Sequence, residues 1–230
     1  MDKSRTELLL GKTAVERLEK SHVAVFGVGG VGGFAAEALA RAGVGRITLV
    51  DSDTVSESNV NRQIIALSST VGRPKVEVMK ERMLDINPDL TVEIHNTFYS
   101  EQTRDSFDFE SYDYVVDAID SVRSKVDLIV TAKSNGARII SAMGAGRKLD
   151  PTAFVVSDIS KTSVCPLARA VRIALKKQGI TSLKVVFSKE PPVPLLDGED
   201  GSVPGSVSFV PGVVGLIMAG EVIKDLAADL

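Results

Sequence analysis

Apolar positions along this chain fall into two alternating kinds of block. Short β-branched runs such as Val23-Ala24-Val25-Phe26, Ile47-Thr48-Leu49-Val50 and Val115-Val116 have the length and composition of buried parallel strands. Between them, apolar residues recur at helical spacing, as in Val76, Met79, Met83 and Ile86. The pattern predicts one or two amphipathic helices over 6–20, then strand 22–27, helix 31–42 and strand 46–51. A helix opening at Pro74 runs until Asn87-Pro88 stops it, and strand 91–95 follows. Strand 112–116, a helix over 122–135 capped by Ser121, and strand 138–141 continue the alternation. The second half reads as strand 153–157, a helix over 166–178, strand 183–187, a mobile Pro/Gly-rich loop over 190–206, a short strand 207–210 and an apolar helix 213–226. Strands alternating with helices imply an α/β fold: a Rossmann-like, mostly parallel sheet with helices on both faces, the C-terminal part adding further strands.

Composition narrows the class. The chain has 230 residues, 44% hydrophobic and 25% charged, with a net charge of −3, ordinary for one globular domain and no advertisement of nucleic acid. Its one cysteine excludes an internal disulfide and a CxxC zinc pair. The start, Met1-Asp2-Lys3-Ser4-Arg5, lacks the apolar core of a signal peptide. Pro211, Gly212, Gly215, Gly220 and Glu221 break the last apolar stretch, against a membrane span. A cytoplasmic protein with no membrane contact is expected.

The chemistry begins where the first strand ends in Gly27-Val28-Gly29-Gly30-Val31-Gly32-Gly33. Glycines let the backbone turn tightly and approach phosphates, and the following helix N-terminus offers free N–H groups. Asp51, ending the second strand, is placed to take a ribose hydroxyl. Such a turn alone serves NAD(P) or FAD as well as ATP. The polar residues downstream point to ATP: Asp53, then Asn59, Asn61, Arg62 and Gln63, then Lys75, and later Asp117-Ala118-Ile119-Asp120. Hydride transfer has no need of these groups, whereas splitting ATP between its α- and β-phosphates needs cations and Mg²⁺. Asp117 reads equally as a ligand or as a polar strand end, and Asp120 is the better metal candidate. Cys165 reads as an ordinary thiol.

Charge is uneven in the second half. Lys161 to Lys189 contains Arg169, Arg172 and Lys176 among its basic residues and no acid. Those three share one helical face, which is either solvated or a surface for RNA phosphates; the length of the block favours RNA.

Together the glycine string, Asp51, Asn59-x-Asn61-Arg62-Gln63, Lys75 and Asp117-x-x-Asp120 resemble the superfamily of ubiquitin-activating-like adenylating enzymes. Arg5-Thr6 with Leu10-Gly11, Asp120-Ser121-Val122, Lys161-Thr162-Ser163 with Pro166-Leu167-Ala168, and Ser188-x-Glu190-x-Pro192 look like its branch that dehydrates threonylcarbamoyladenosine in tRNA. That branch has an acid where Cys165 stands, and the zinc cysteines of the sulfur-carrier-activating branches are missing. The resemblance implies a single adenylating domain, with residues 1–147 holding nucleotide and 148–230 meeting substrate and a dimer partner. It implies ATP and Mg as cofactors, ANN-decoding tRNA as substrate, a homodimer and a sulfur-relay protein as a further partner. Gly27, Gly29, Gly30, Asn59, Arg62 and Lys75 would line the phosphates, with Asp51 on the ribose, Asp53 among the nucleotide-binding residues and Asp120 on the metal. Arg5 would reach in from the partner subunit. Adenylation of a small ubiquitin-like sulfur carrier is the alternative implied by the wider superfamily.

Overall fold

The computed structural model describes residues 1–194 and 204–228. Two short helices, α1 (Ser4–Leu10) and α2 (Lys12–Lys20), meet at Gly11 and lead into β1 (His22–Phe26). The small residues after the glycine turn form α3 (Gly32–Ala42), which Gly43 ends, and β2 (Arg46–Val50) follows. Past the polar connection, Pro74 precedes α4 (Lys75–Ile86), then β3 (Thr91–His95) and β4 (Tyr114–Asp117). Ser121 accepts a hydrogen bond from the Ser124 N–H and starts α5 (Val122–Ser134), which returns to β5 (Arg138–Ala142). The remainder is β6 (Phe154–Asp158), α6 (Pro166–Lys177), β7 (Lys184–Ser188) and α7 (Val210–Ala227).

The seven strands form one sheet in the order β3-β2-β1-β4-β5-β7-β6. All neighbours are parallel except the edge pair β6 and β7. Alternate strand residues face opposite layers. Val23, Val25, Ile47, Leu49 and Ile140 pack with α2, α3, α4 and α7. Ala24, Phe26, Val115, Ile139 and Val185 pack with α5, α6 and an aromatic group that includes Tyr99, Phe107 and Phe109. Strands buried on both faces need no polar alternation, which is why they read as continuous apolar runs. Phe26 stands level with Val50 on one side and Asp117 on the other, and Asp117 with Ser141. The carboxyl ends of β1, β2, β4 and β5 therefore line up along one rim. The chain reverses its strand order between β1 and β4, the place where open α/β sheets bind ligands.

One expected element differs. The segment 207–210 is a turn and the start of α7, not a strand. Pro211 has no N–H to give a ladder but suits a first helical turn, so the helix begins three residues before its expected start at 213. The loop expected over 190–206 is irregular at 190–194 and 204–206, while 195–203 lie outside the described residues. Among the described residues no helix is long and apolar enough to cross a membrane.

The C-terminal helix is tied to the sheet by Asp225. Its carboxylate accepts from the Tyr114 hydroxyl at 2.7 Å and from Lys184 Nζ at 2.6 and 2.9 Å. Burial alone would raise the Asp225 pKa, but bonds from Lys184 and Tyr114 overcome it and hold it below 3.8. A depressed native pKa contributes stability that is present above the unfolded value and lost as pH falls towards the native one. Asp225→Asn is expected to cost about 1–3 kcal/mol at neutral pH. Urea unfolding should give this loss at pH 7, with the gap from wild type shrinking below about pH 4.

Candidate active site

The glycine turn after β1 forms the floor of the site. Gly27 has φ +89°, and a Cβ there would lie 2.7 Å from the Ala118 carbonyl oxygen. A Cβ at Gly32 would lie 1.8 Å from the Gly27 carbonyl oxygen. Only glycine permits this approach of the turn, the loop after β4 and the first turn of α3. Above the floor opens a cleft of about 450 Å³.

Every residue expected to hold nucleotide lines that cleft: Gly27, Gly29, Gly30, Asp51, Asp53, Asn59, Arg62, Lys75 and Asp120. They come from the turns after β1, β2 and β4 and from the start of α4. Asp51 accepts from the Val28 N–H at 2.6 Å and the Asp53 N–H at 2.8 Å, which clamps β2 to the glycine turn. Each oxygen keeps a lone pair for a ribose hydroxyl. Lys75 is buried at the first position of α4, and its Nζ donates to the exposed Asp53 carboxylate at 2.7 Å. Asn59 is buried, and its Oδ1 accepts from the Ser56 N–H at 3.2 Å in a reciprocal cap, leaving the NH₂ group available. Arg62 Nη1 donates to the Ser58 carbonyl at 2.9 Å and to Asn61 Oδ1 at 2.8 Å. The rest of the guanidinium has no bond among the described residues. The exposed Asp120 carboxylate likewise carries no hydrogen bond or ion pair among them.

Gln63, the last residue of the Asn-x-Asn-Arg-Gln run, lines the cleft as well; it sits against Gly29, and its buried Oε1 has no hydrogen-bond partner among the described residues. Other lining residues were not singled out by the sequence. Thr97, Phe98 and Tyr99 follow β3 and close one side, with Phe98 half exposed. Ala145 and Gly146, just past β5, line it too, and Ser206 and Pro211 bring the second half of the chain to the same cleft. Their signal was positional: segments after the carboxyl ends of parallel strands converge on one rim.

Six of the residues singled out in the sequence lie elsewhere. Arg5 is exposed on α1 and outside the cleft lining. Arg169 and Lys176 are exposed on α6, whereas Arg172 between them is half-buried and bonded to carbonyls of Ile159 at 3.4 Å and Thr162 at 3.1 Å. Arg172 thus ties α6 to the turn after β6. Asp117, one of the two readings left open, is fully buried against Lys125 and does not line the cleft. Cys165 is buried at the start of α6, also outside it.

Comparison with known proteins agrees with this geometry. A tRNA threonylcarbamoyladenosine dehydratase of Bacillus subtilis (strain 168) is 48% identical, over 99% of this chain and 95% of that protein. The protein of the same description from Escherichia coli (strain K12) is 42% identical over 80% of this chain and 72% of its own length. Crystal structures of E. coli tRNA N6-threonylcarbamoyladenosine dehydratase in complex with AMP and with ATP each match with a TM-score of 0.90 and 38% identity. They cover 98% of this chain and 93% of theirs. The ThiF family model matches residues 3–229, and the chain belongs to the ThiF family.

Proposed function

We propose that this protein uses ATP to dehydrate threonylcarbamoyladenosine in tRNA to its cyclic form, releasing AMP and pyrophosphate. The observation that carries the reading is the meeting of Arg62, Lys75 and Asp120, from three separate segments, over one glycine turn. ATP lies with its ribose on Asp51 and its phosphates on Gly27, Gly29, Gly30 and the N-terminus of α3. Asn59, Arg62 and Lys75 stabilise charge on the α-phosphate and on departing pyrophosphate. Asp53 holds Lys75 in place until phosphate arrives. The threonyl carboxylate attacks the α-phosphorus and pyrophosphate leaves. The carbamoyl oxygen then attacks the activated carbonyl carbon; AMP leaves, the urea nitrogen loses a proton and the ring closes. The second nucleophile is already on the substrate, so proximity replaces a protein nucleophile. The route needs no protein thiol, and Cys165 lies outside the cleft lining.

Magnesium fits the donor set in one way. The described residues contain no group of three or more His, Cys, Asp or Glu suited to a metal. An ion at Asp120 would therefore take its other ligands from phosphate oxygens and water, as magnesium commonly does. When bound it supplies charge neutralisation on the phosphates.

Residues 1–147 hold nucleotide in this reading, and residues 148–230 meet substrate and a second copy. Helix α1 exposes Leu8 at 88% and Leu9 at 85%, beside Arg5. A homodimer covers this helix and carries Arg5 to the partner's cleft. The exposed Arg169 and Lys176 take tRNA phosphates in an ANN-decoding tRNA. A tRNA substrate and the use of ATP support a cytoplasmic setting.

Incubation with Mg·ATP and tRNA bearing the linear nucleoside, followed by nucleoside mass spectrometry, tests the reading. The expected product is lighter by one water. Unchanged tRNA, with pyrophosphate exchange dependent on a small carrier protein, would instead support the sulfur-carrier alternative. Lys75→Ala and Arg62→Ala should each lower kcat by about 10²–10³ with an unchanged circular-dichroism spectrum. Replacing Arg169 and Lys176 together by Ala should raise KM for tRNA and flatten its salt dependence by about two units of slope. ATP affinity should not move, because neither residue is in the cleft.

A further inference from the structure

Behind the cleft lies a buried charged cluster that the chemistry above leaves unused. Asp117, Lys125 and Ser141 each have no solvent exposure. Lys125 Nζ donates to both Asp117 oxygens at 2.8 Å and to Ser141 Oγ at 3.3 Å. The Ser141 hydroxyl donates to Asp117 Oδ2. The three residues belong to β4, α5 and β5, so the cluster joins the ends of two strands to one helix.

The cluster also reaches the cleft. Asp117 Oδ1 accepts from the Ile119 N–H at 3.2 Å. The next link is Ala118, whose N–H donates to the Phe26 carbonyl at 2.8 Å and whose own carbonyl packs on Gly27. Residues 118–120 are thereby held between the buried cluster and the glycine turn, and Ala118, Ile119 and Asp120 all line the cleft. A buried ion pair is a poor device for stability alone, because apolar residues of similar volume often do as well or better. Its distinguishing property is direction: a carboxylate fixed on both oxygens presents one lone pair to one backbone N–H.

We propose that Asp117, Lys125 and Ser141 are positioning residues that orient the 118–120 loop, so that Asp120 faces the phosphates during adenylation. The kinetic part of this proposal rests on the function given above; the structural part does not.

The test is the double variant Asp117→Leu/Lys125→Met, which removes both charges at near-constant volume. Thermal unfolding, hydrogen exchange at Ile119 and Asp120, ATP affinity and kcat are measured together. We expect a folded protein, faster exchange in the loop, ATP affinity near wild type, and kcat lower by about 100-fold. Wild-type exchange in the folded double variant overturns the proposal, whatever reaction the enzyme performs. Faster exchange with wild-type kcat overturns it too. Should the double variant fail to fold, Ser141→Ala decides, with the same changes expected in smaller measure and wild-type exchange or kcat overturning the idea. Wild-type enzyme inactive on modified tRNA would sink the functional reading, while the exchange result would still decide whether the cluster holds the loop.

Discussion

The whole site depends on how closely three stretches of backbone approach one another. The turn after β1, the loop after β4 and the first turn of α3 touch where a methyl group at Gly27 or Gly32 would overlap a carbonyl oxygen. That contact brings the N–H groups of a helix start to the floor of the cleft and sets the height of everything around it. The parallel register then does the rest. Because Phe26, Val50 and Asp117 end level, the segments that leave β1, β2 and β4 emerge side by side. Residues far apart in the chain become neighbours without any long-range device of their own.

Electrostatics in the cleft are prepared rather than satisfied. Asp51 is bound to two backbone N–H groups, so its orientation is set before any ligand arrives. Lys75 is nearly buried while its partner Asp53 is 65% exposed. A pair with one exposed member adds little stability by itself. A triphosphate offers Lys75 more negative charge than one carboxylate does, and the ammonium has further N–H donors for it. The ion pair thus keeps a buried cation oriented at little cost when it turns to the ligand. Asp120 is, among the described residues, an uncommitted carboxylate on a loop whose backbone is held by Asp117 and Phe26.

Much of this was legible in the residues, for a physical reason. Strands buried on both faces leave a strong apolar signature, and glycine, Asp and Lys at their ends carry chemistry that few other folds need in that order. The losses are equally specific. Asp117 stays open between ligand and polar strand end, because its partner Lys125 belongs to the next helix and carries no motif of its own. Arg172 repeats with Arg169 and Lys176 along a basic face, yet its partners are carbonyls at 159 and 162, contributed by a turn that no periodicity announces. At 207–210 a β-branched and aromatic composition outweighed the proline that follows it. Phe98 reaches the cleft through the path of the chain, not through any motif.

A cleft of this kind is also a statement about which step needs the protein most. Forming the acyl-adenylate gathers negative charge on phosphate, and the cations and dipoles of the cleft are aimed there. Closing the ring recruits no second molecule, because both reacting atoms already belong to one nucleoside, and the charge left on departing AMP falls on that same phosphate. An enzyme passing its acyl group to a thiol would need that thiol within reach of the α-phosphate. Here the one cysteine is buried at the start of α6, with its sulfur against Gly144 and not in the cleft. Precision is therefore demanded at the phosphates and can be relaxed at the acyl carbon. The buried Asp117–Lys125 pair bears on the first demand, since Asp117 holds a backbone N–H of the loop that carries Asp120.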